Sequence, residues 1–417
     1  MEIALRLREI RTGFTRTFWI ANVLELFERL AFYGAKAVLA VYLATKVGLQ
    51  EEAGALAGLF SGVIFSLPIV AGVFVDRYGF RRTLIACFAM FCVGYLLIGL
   101  AGLEAGEGIV NAMGKKLYIV VVLILTAVGG SLIKPCIVGT VATTSKPDVR
   151  SLGFSIYYTL VNIGGALGPI LALQVRVNLG IEYVLVMSSL TSLLLMIGAF
   201  LFFKEPERYD GKGMQGSSFN KVFRDMLLVF GNLKFISFLV IFSGFWIMFW
   251  QIFYSFPFYV TDVLGFPQFE ILETVDAWTI ILVSVPITAL VKKLAPITAM
   301  TIGFVIASLS WLIIGASATV PAAIIGVGMF AIGEATQAPR FYEYVSNLAP
   351  KEQVGTFMGF AFLPVAIGSF VAGPLADWLR ASFMETNPSM MWYTLAGIGL
   401  ASTVLMVMYN LLVAKRG

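Results

Sequence analysis

The chain is 417 residues long, with 59% hydrophobic residues, 13% charged residues and a formal net charge of +5. A soluble domain carries about a quarter charged residues, so this composition indicates an integral membrane protein. The positive charge lies mostly in loops between apolar segments, which gives no reason to expect a nucleic-acid partner. The chain has no histidine, so a transported proton would have to travel on a carboxylate, a lysine or water.

Twelve apolar segments are each long enough to cross a bilayer, which takes about 20 helical residues. The Gly and Pro residues inside them are compatible with membrane helices, because neighbouring helices can satisfy the freed backbone groups. The pattern predicts an all-α membrane protein. The segments, numbered spans 1 to 12, lie near residues 14–44, 53–76, 82–102, 114–143, 151–176, 180–203, 234–262, 269–292, 296–316, 320–346, 353–379 and 390–413.

The longest polar stretch, residues 204–233, leaves six spans on either side of it. Six spans followed by six is typical of transporters in which two helical bundles surround a central cavity. We therefore predict an N-terminal bundle over 1–203, a cytoplasmic linker over 204–233 and a C-terminal bundle over 234–417. Most Lys and Arg residues in the loops fall on the side that carries both termini, which predicts that both termini are cytoplasmic.

Span 1 carries charges that a lipid-facing helix would not tolerate. Glu25, Arg29, Phe32 and Lys36 are spaced i, i+4, i+7 and i+11, which places them on one helix face, and Glu28 lies beside that face. Charged residues inside a membrane are costly and usually mark a substrate or ion pathway. We expect this face to line a cavity; the alternative is an ion-pair network that only holds helices together.

Spans 4 and 10 each add one charge, Lys134 and Glu334, in opposite bundles. Across a central cavity, Glu334 could bind the ammonium group of a zwitterion while Lys134 or Lys36 binds its carboxylate. Either group could instead exchange protons, because burial brings the pKa of a Glu or a Lys toward neutrality. A permanent pairing with a neighbour is the alternative for each.

Two further charged groups lie near the predicted cytoplasmic ends of spans. Arg340 and Glu343 are spaced i, i+3 and predict a local pair that holds or gates the inner mouth. Asp76, Arg77 and Arg81 follow span 2 in a sequence that resembles the major facilitator signature G-x-x-x-D-R-x-G-R-R. Such charges can join two bundles in one state and release them in another; the alternative is a basic loop that only sets topology.

Span 7 is rich in aromatic residues, including Trp250, and such a stripe is usually helix packing. Gln251 is its polar exception and either faces the cavity or hydrogen-bonds between helices. The sequence has no P-loop, no metal-spaced His or Cys cluster and no nucleophile elbow. We expect neither an ATP-driven pump nor an enzyme, with no metal, no cofactor and a proton gradient as the energy source.

Three segments together resemble the proton-dependent oligopeptide transporter family of the major facilitator superfamily. Residues 25–34 are similar to the family's E-x-x-E-R-F-x-Y-Y-G, residues 132–135 to its L-L-K-P, and residues 154–164 to its F-x-x-x-Y-x-x-x-N-x-G. The resemblance implies the major facilitator fold, with twelve transmembrane helices in two six-helix bundles around a central cavity.

The resemblance also implies roles for particular residues. Proton coupling would belong to Glu25, Glu28, Arg29 and Lys134. Lys134 would also bind the peptide carboxylate, and Glu334 the amino terminus. The expected substrate-binding residues are Tyr33, Lys36, Phe65, Lys134, Asn162, Trp250, Gln251 and Glu334.

This sequence departs from the family at three of those positions. Lys36 replaces an Arg, which removes the planar fork that binds a carboxylate at two points. Phe65 replaces a Tyr that often binds substrate, and Trp250 replaces the acid of the family's F-E-Q, so a salt bridge between position 36 and span 7 is expected to be absent. These departures leave the fold and the cavity as expected.

The first hypothesis is a proton-coupled symporter of small peptides or peptide-like zwitterions in the inner membrane, working as a monomer by alternating access. The second is an exporter of a drug, a siderophore or another amphipathic metabolite, because residues 164–169 resemble a motif common in facilitator antiporters. A transport-dead receptor is a third hypothesis, and no appended soluble domain supports it. The expected partners are the small-molecule substrate, protons and the lipid bilayer.

Overall fold

The computed structural model describes residues 13–206, 219–349 and 354–414. In these ranges the chain is helical, apart from one isolated bridge between Phe14 and Ser145. The first six spans are the helices Arg16–Thr45, Ala53–Ser66 with Pro68–Tyr78, Phe80–Leu100, Lys115–Ser131 with Ile133–Thr144, Arg150–Asn178 and Glu182–Phe202.

The second half repeats this arrangement after the linker. Spans 7 to 12 are the helices Leu233–Tyr254, Phe269–Val291, Pro296–Ala316, Val320–Leu348, Val354–Phe360 with Leu363–Phe383, and Ser389–Tyr409. Residues 207–218 of the predicted linker lie outside the described part of the chain, and a helix, Phe219–Phe230, precedes span 7.

Ten helices in the described ranges are long and apolar enough to cross a membrane, and span 2 makes an eleventh when its two halves are taken together. Span 2 bends by 50° at its break, where Pro68 has no N–H to donate and its ring excludes the carbonyl four residues earlier. Span 1 has 30 residues, which is about 45 Å of helix and long enough to cross. Its buried charged residues make span 1 too polar to be recognised as a membrane span from its composition. It packs along spans 5 and 6 and is the twelfth span.

Each bundle has one end where the described chain begins or ends, near residue 13, 206 or 414, called here the terminal face, and an opposite end called the far face. At the far face the bundles approach backbone to backbone. A Cβ added to Gly54 would lie 2.6 Å from the carbonyl oxygen of Gly373, and one added to Gly58 would lie 2.7 Å from that of Ser369. Spans 2 and 11 therefore meet there through small residues, as membrane helices commonly do.

Polar contacts also stabilise the closed arrangement of the far face. Asp377 of span 11 accepts hydrogen bonds from the backbone N–H groups of Gly54, at 2.8 Å, and Ala55, at 2.7 Å. Those N–H groups belong to the first turn of span 2, where a carboxylate is favoured by the unpaired donors and the helix dipole. Between spans 5 and 8, Arg176 pairs with Glu270. The far ends of the two bundles are therefore joined.

Candidate functional site

The charged face of span 1 is buried between helices. Glu25, Glu28 and Arg29 are at most 3% exposed. Arg29 Nε forms an ion pair with Glu28 and lies 3.4 Å from Glu25 Oε1. One carboxylate oxygen of each acid, Glu25 Oε2 and Glu28 Oε1, has no hydrogen-bond partner among the described residues. Two acids therefore share one guanidinium group.

Lys134 of span 4 lies near this network and forms no ion pair with it in the described part of the chain. The charges of Arg29, Glu25 and Glu28 all act on it, and its Nζ lies 5.8 Å from the ring centroid of Phe362 in span 11. Span 4 is interrupted at Leu132, because a proline at position 135 cannot donate to the carbonyl four residues earlier. The interruption places Lys134 at the start of a helix segment that faces the opposite bundle.

Lys36 lies one turn beyond Tyr33 on span 1 and occupies an aromatic cage. Its Nζ is 3.6 Å from the ring centroid of Phe253, 4.3 Å from that of Trp250, 5.2 Å from that of Phe249 and 5.4 Å from that of Tyr33. Lys36 is 4% exposed. The cage joins span 1 to span 7 by cation–π contacts, at the position where a salt bridge was expected to be absent.

Between the bundles is a cavity of about 90 Å³. Three carboxylates contribute to its wall: Glu334 of span 10, as expected from the sequence, and Glu273 and Asp276 of span 8. All three act electrostatically on Lys36. The residues that line the cavity are Tyr33, Val161, Asn162, Gly165, Pro169, Phe249, Phe253, Glu273, Asp276, Ala277, Ile280 and Glu334.

The two span 8 acids, Glu273 and Asp276, were not among the site residues predicted from the sequence. The sequence does indicate them, because both acids lie inside a predicted span, and a charged residue inside a membrane is costly at any position. They are spaced i, i+3 and share a helix face. The same rule that selected span 1 applies to span 8.

Gln251, a predicted substrate-binding residue, is not among the residues that line the cavity. It is fully buried; its Nε2 donates to the carbonyl of Ala372 at 2.9 Å and its Oε1 accepts from the Ser255 hydroxyl. Both ends of the amide are therefore occupied between spans 7 and 11. Its role is to join two helices of one bundle.

Two predicted aromatic residues lie beside the Lys36 cage. The ring centroids of Phe65 and Trp250 are 5.8 Å apart, across the two bundles. Trp250 is 1% exposed and its Nε1–H donates to the carbonyl of Val365 at 3.0 Å. Trp250 thus forms a fixed wall of the cage, and Phe65 packs on it from span 2.

The charges predicted to act as gates lie at the terminal face. Arg340 pairs with Glu343 and also donates to the carbonyl of Leu294, so the local pair is present and fastens span 10 to the loop after span 8. Arg81 donates to the carbonyl of Phe200 at 2.5 Å. The Arg340 contacts lie within the C-terminal bundle, and the Arg81 contact lies within the N-terminal bundle.

The neighbouring Asp76 and Arg77 lie in the last turn of span 2, and the Arg77 guanidinium is 5.5 Å from the Tyr78 ring centroid. After the turn, Glu205 accepts from the backbone N–H groups of Phe80, at 2.7 Å, and Arg81, at 2.9 Å. The signature loop is therefore fastened to the end of span 6. A gating role for these residues stays a prediction.

The glycine run in span 5 has a packing explanation. A Cβ added to Gly164 would lie 2.4 Å from the Cβ of Arg29, and one added to Gly168 would lie 2.8 Å from the carbonyl oxygen of Leu30. Span 5 needs these glycines to lie against the charged face of span 1. The run that resembles an antiporter motif therefore gives no separate support for export.

In the described part of the chain, no group of three or more His, Cys, Asp or Glu residues is arranged to hold a metal ion. The family model described as Major Facilitator Superfamily matches residues 22–274, which is more than half of the chain. The chain belongs to the Major Facilitator Superfamily. The superfamily's fold agrees with the twelve-span, two-bundle prediction.

Curated relatives of this superfamily member include peptide permeases. It is 30% identical to the dipeptide and tripeptide permease B of Xenorhabdus bovienii over 165 residues, which is 38% of this chain and 32% of the relative. It is 29% identical to the peptide transporter YePEPT of Yersinia enterocolitica over 157 residues, 36% of this chain and 29% of the relative. The match thus covers about a third of these relatives' length.

Solved structures of transporters from the proton-dependent oligopeptide transporter (POT) family have the same fold. One, in complex with a thioalcohol-conjugated peptide, has a TM-score of 0.77 at 16% identity and covers 95% of this chain and 96% of that chain. Another, in complex with 5-aminolevulinic acid, also has a TM-score of 0.77 at 16% identity, over 94% and 96%. The resemblance noted in spans 1, 4 and 5 thus extends to the fold of nearly the whole chain.

Proposed function

We propose that this chain is a proton-coupled symporter of small peptides or peptide-like zwitterions that works by alternating access. The observation that carries the proposal is the buried network of Glu25, Glu28, Arg29 and Lys134 in one bundle, opposite Glu334 in the other. A carboxylate that shares its only cation can take up a proton and so weaken its hold on that cation. Protonation in the N-terminal bundle would also weaken the attraction of these acids for Lys134, which would then bind a substrate carboxylate more readily.

Glu334 would bind the substrate's amino group, and Tyr33 and Asn162 would contact the peptide between the bundles. The names of relatives as dipeptide and tripeptide permeases support this substrate class. The closed far face corresponds to one of the two end states of alternating access, and release of the Asp377 contacts would give the other.

We further propose that the protein lies in the inner membrane with both termini in the cytoplasm, since basic residues are concentrated on the terminal face. Its partners would be protons, substrate and lipid. It would act as a monomer and need no cofactor beyond the proton gradient.

The test is uptake of labelled Ala-Ala into liposomes that contain the purified protein, under an imposed inward proton gradient. We expect accumulation above that of empty vesicles, collapsing when a protonophore removes the gradient. No uptake above empty vesicles across a panel of neutral dipeptides would contradict the proposal. Gradient-driven efflux of an amphipathic drug instead would favour the exporter hypothesis.

A matched pair of variants tests the role of Glu334. We expect Glu334→Gln to stay folded and to lose accumulation of the dipeptide, because the amide cannot carry a proton or pair with an ammonium group. Glu104→Gln, in the exposed loop after span 3, makes the same chemical change away from the cavity and is the control. Unchanged accumulation in Glu334→Gln would show that this residue serves neither binding nor coupling.

A further inference from the structure

Glu273 and Asp276 of span 8 have no part in the proposed coupling mechanism. Glu273 is 3% exposed, lines the cavity, and both of its carboxylate oxygens lack a hydrogen-bond partner among the described residues. Asp276 Oδ1 and Glu334 Oε2 are buried without a partner in the same way. A buried carboxylate without a partner is costly, so these oxygens point to a ligand that would satisfy them.

The charges that face one another across the molecule are not evenly balanced. In the N-terminal bundle, Glu25 and Glu28 are matched by Arg29 and Lys134. On the other side, Lys36 is the one base of the described residues whose charge acts on all three cavity carboxylates. The remaining nearby base, Arg176, is bound to Glu270 at the far face. The cavity therefore has an excess of two acidic groups.

Lys36 does not neutralise these acids by direct contact. Among the described residues it makes no ion pair with a carboxylate, and its Nζ lies among four aromatic rings. The cage holds the ammonium group by ring faces and leaves the carboxylates available. The cavity thus offers acidic acceptors on two helices, Glu334 on span 10 and both Glu273 and Asp276 on span 8.

We propose that the span 8 acids form a subsite for a second positive charge, so that the preferred substrates are small peptides with a basic side chain. The inference rests on the proposed function. The peptide's amino group pairs with Glu334, its side-chain ammonium or guanidinium with Glu273 and Asp276, and its carboxylate with Lys134. A neutral dipeptide leaves the span 8 acids unsatisfied, and an acidic one adds repulsion.

The experiment compares binding of Ala-Lys, Ala-Ala and Ala-Glu to the purified full chain by isothermal titration calorimetry. We expect Ala-Lys to bind about tenfold or more tightly than Ala-Ala, as one additional charged hydrogen bond implies, and Ala-Glu to bind most weakly. Glu273→Gln and Asp276→Asn should each remove most of that preference, measured within each variant as the ratio of its Ala-Lys affinity to its Ala-Ala affinity. Glu104→Gln is the matched control and should keep the preference.

Equal affinity of the wild-type protein for Ala-Lys and Ala-Ala would overturn the subsite, and this comparison needs no variant to fold. A preference for Ala-Lys that survives both substitutions would overturn it too. Either result leaves peptide symport standing if Ala-Ala uptake occurs. If no peptide is taken up, the proposed function fails, and binding of 1,5-diaminopentane decides the subsite separately: binding that Glu273→Gln abolishes supports it, and no binding overturns it.

Discussion

The acids buried beside Arg29 in the N-terminal bundle and the acids around the cavity in the C-terminal bundle differ in their partners. The N-terminal bundle pairs its acids: Arg29 contacts both Glu25 and Glu28, and Lys134 lies in the field of all three. The C-terminal bundle leaves Glu273, Asp276 and Glu334 around the cavity with unpartnered oxygens. A paired network offsets its own desolvation cost, whereas an unpaired one needs a proton or a ligand to do so. The difference separates a coupling region from a binding region.

The largest expected effect comes from removing the shared cation of the paired network. Arg29→Ala leaves two buried carboxylates without a partner, and we expect it to lower the free energy of unfolding by about 3–5 kcal/mol. Lys36→Met removes a cation that forms no ion pair, so we expect a clearly smaller loss of unfolding free energy. Thermal unfolding in detergent, with Arg150→Ala at the exposed start of span 5 as control, checks the order. Equal losses of unfolding free energy at both positions would remove the contrast between the paired network and the unpaired Lys36.

The next effect concerns the closure that brings the two regions together. Asp377→Ala removes two hydrogen bonds to the first turn of span 2, and we expect about 2 kcal/mol less stability of the closed far face. That corresponds to a shift of roughly 30-fold in the ratio of closed to open molecules. Spin labels at positions 104 and 385, on opposite bundles, measure the distance distribution. Asp262→Ala, an exposed far-face acid bound to Thr261 of its own bundle, is the control; an unchanged distribution in Asp377→Ala would contradict the closure.

A smaller effect is expected at the boundary between the regions. Trp250→Leu removes a ring face 4.3 Å from Lys36 Nζ and the donor to the Val365 carbonyl, and should cost about 1–2 kcal/mol of stability. Trp250→Phe keeps a ring face and should lose only part of that. The apparent melting temperatures of the two variants check this prediction. If Phe and Leu were equivalent there, the cage would not hold Lys36 through its ring faces.

The smallest effect tests where the binding region ends. Gln251→Leu leaves the Ala372 carbonyl and the Ser255 hydroxyl without their amide partner, so we expect about 1 kcal/mol less stability. Peptide affinity should not change, because the side chain is fully buried behind the cavity wall. Titration of Ala-Ala into the variant measures the second part. A large loss of Ala-Ala affinity with unchanged stability would indicate that Gln251 belongs to the binding site.

Local spacing explains which parts of the site were predictable. Glu25 and Arg29 are four residues apart, and Arg340 and Glu343 are three apart, so each pair shares a helix face before any packing occurs. The predicted Arg340–Glu343 pair is present, and Arg29 Nε lies 3.4 Å from Glu25 Oε1, the contact given as the alternative for that face. Apolar length likewise sets the helical spans, because a helix satisfies its own backbone in lipid.

Contacts between distant segments were not predictable in this way. Asp377 reaches Gly54 across 323 positions, and nothing near either residue in the sequence indicates the pairing. Gln251 illustrates the same limit, since its amide could equally face the cavity or the neighbouring helix until span 11 packs beside it. Glu273 and Asp276 were visible as charges within a span, but their place on the cavity wall depends on the approach of span 8 to span 1.

The sequence by itself therefore determined the membrane class, the helical spans, the division into two bundles and the charged face of span 1. Each follows from local hydrophobic length or from helical spacing. Only the tertiary structure decided that the Lys36 ammonium is held by aromatic rings, that three carboxylates share one cavity, and that the far face is closed. Those features depend on which helices pack together, and that is set by side-chain shape and small-residue contacts across the whole molecule.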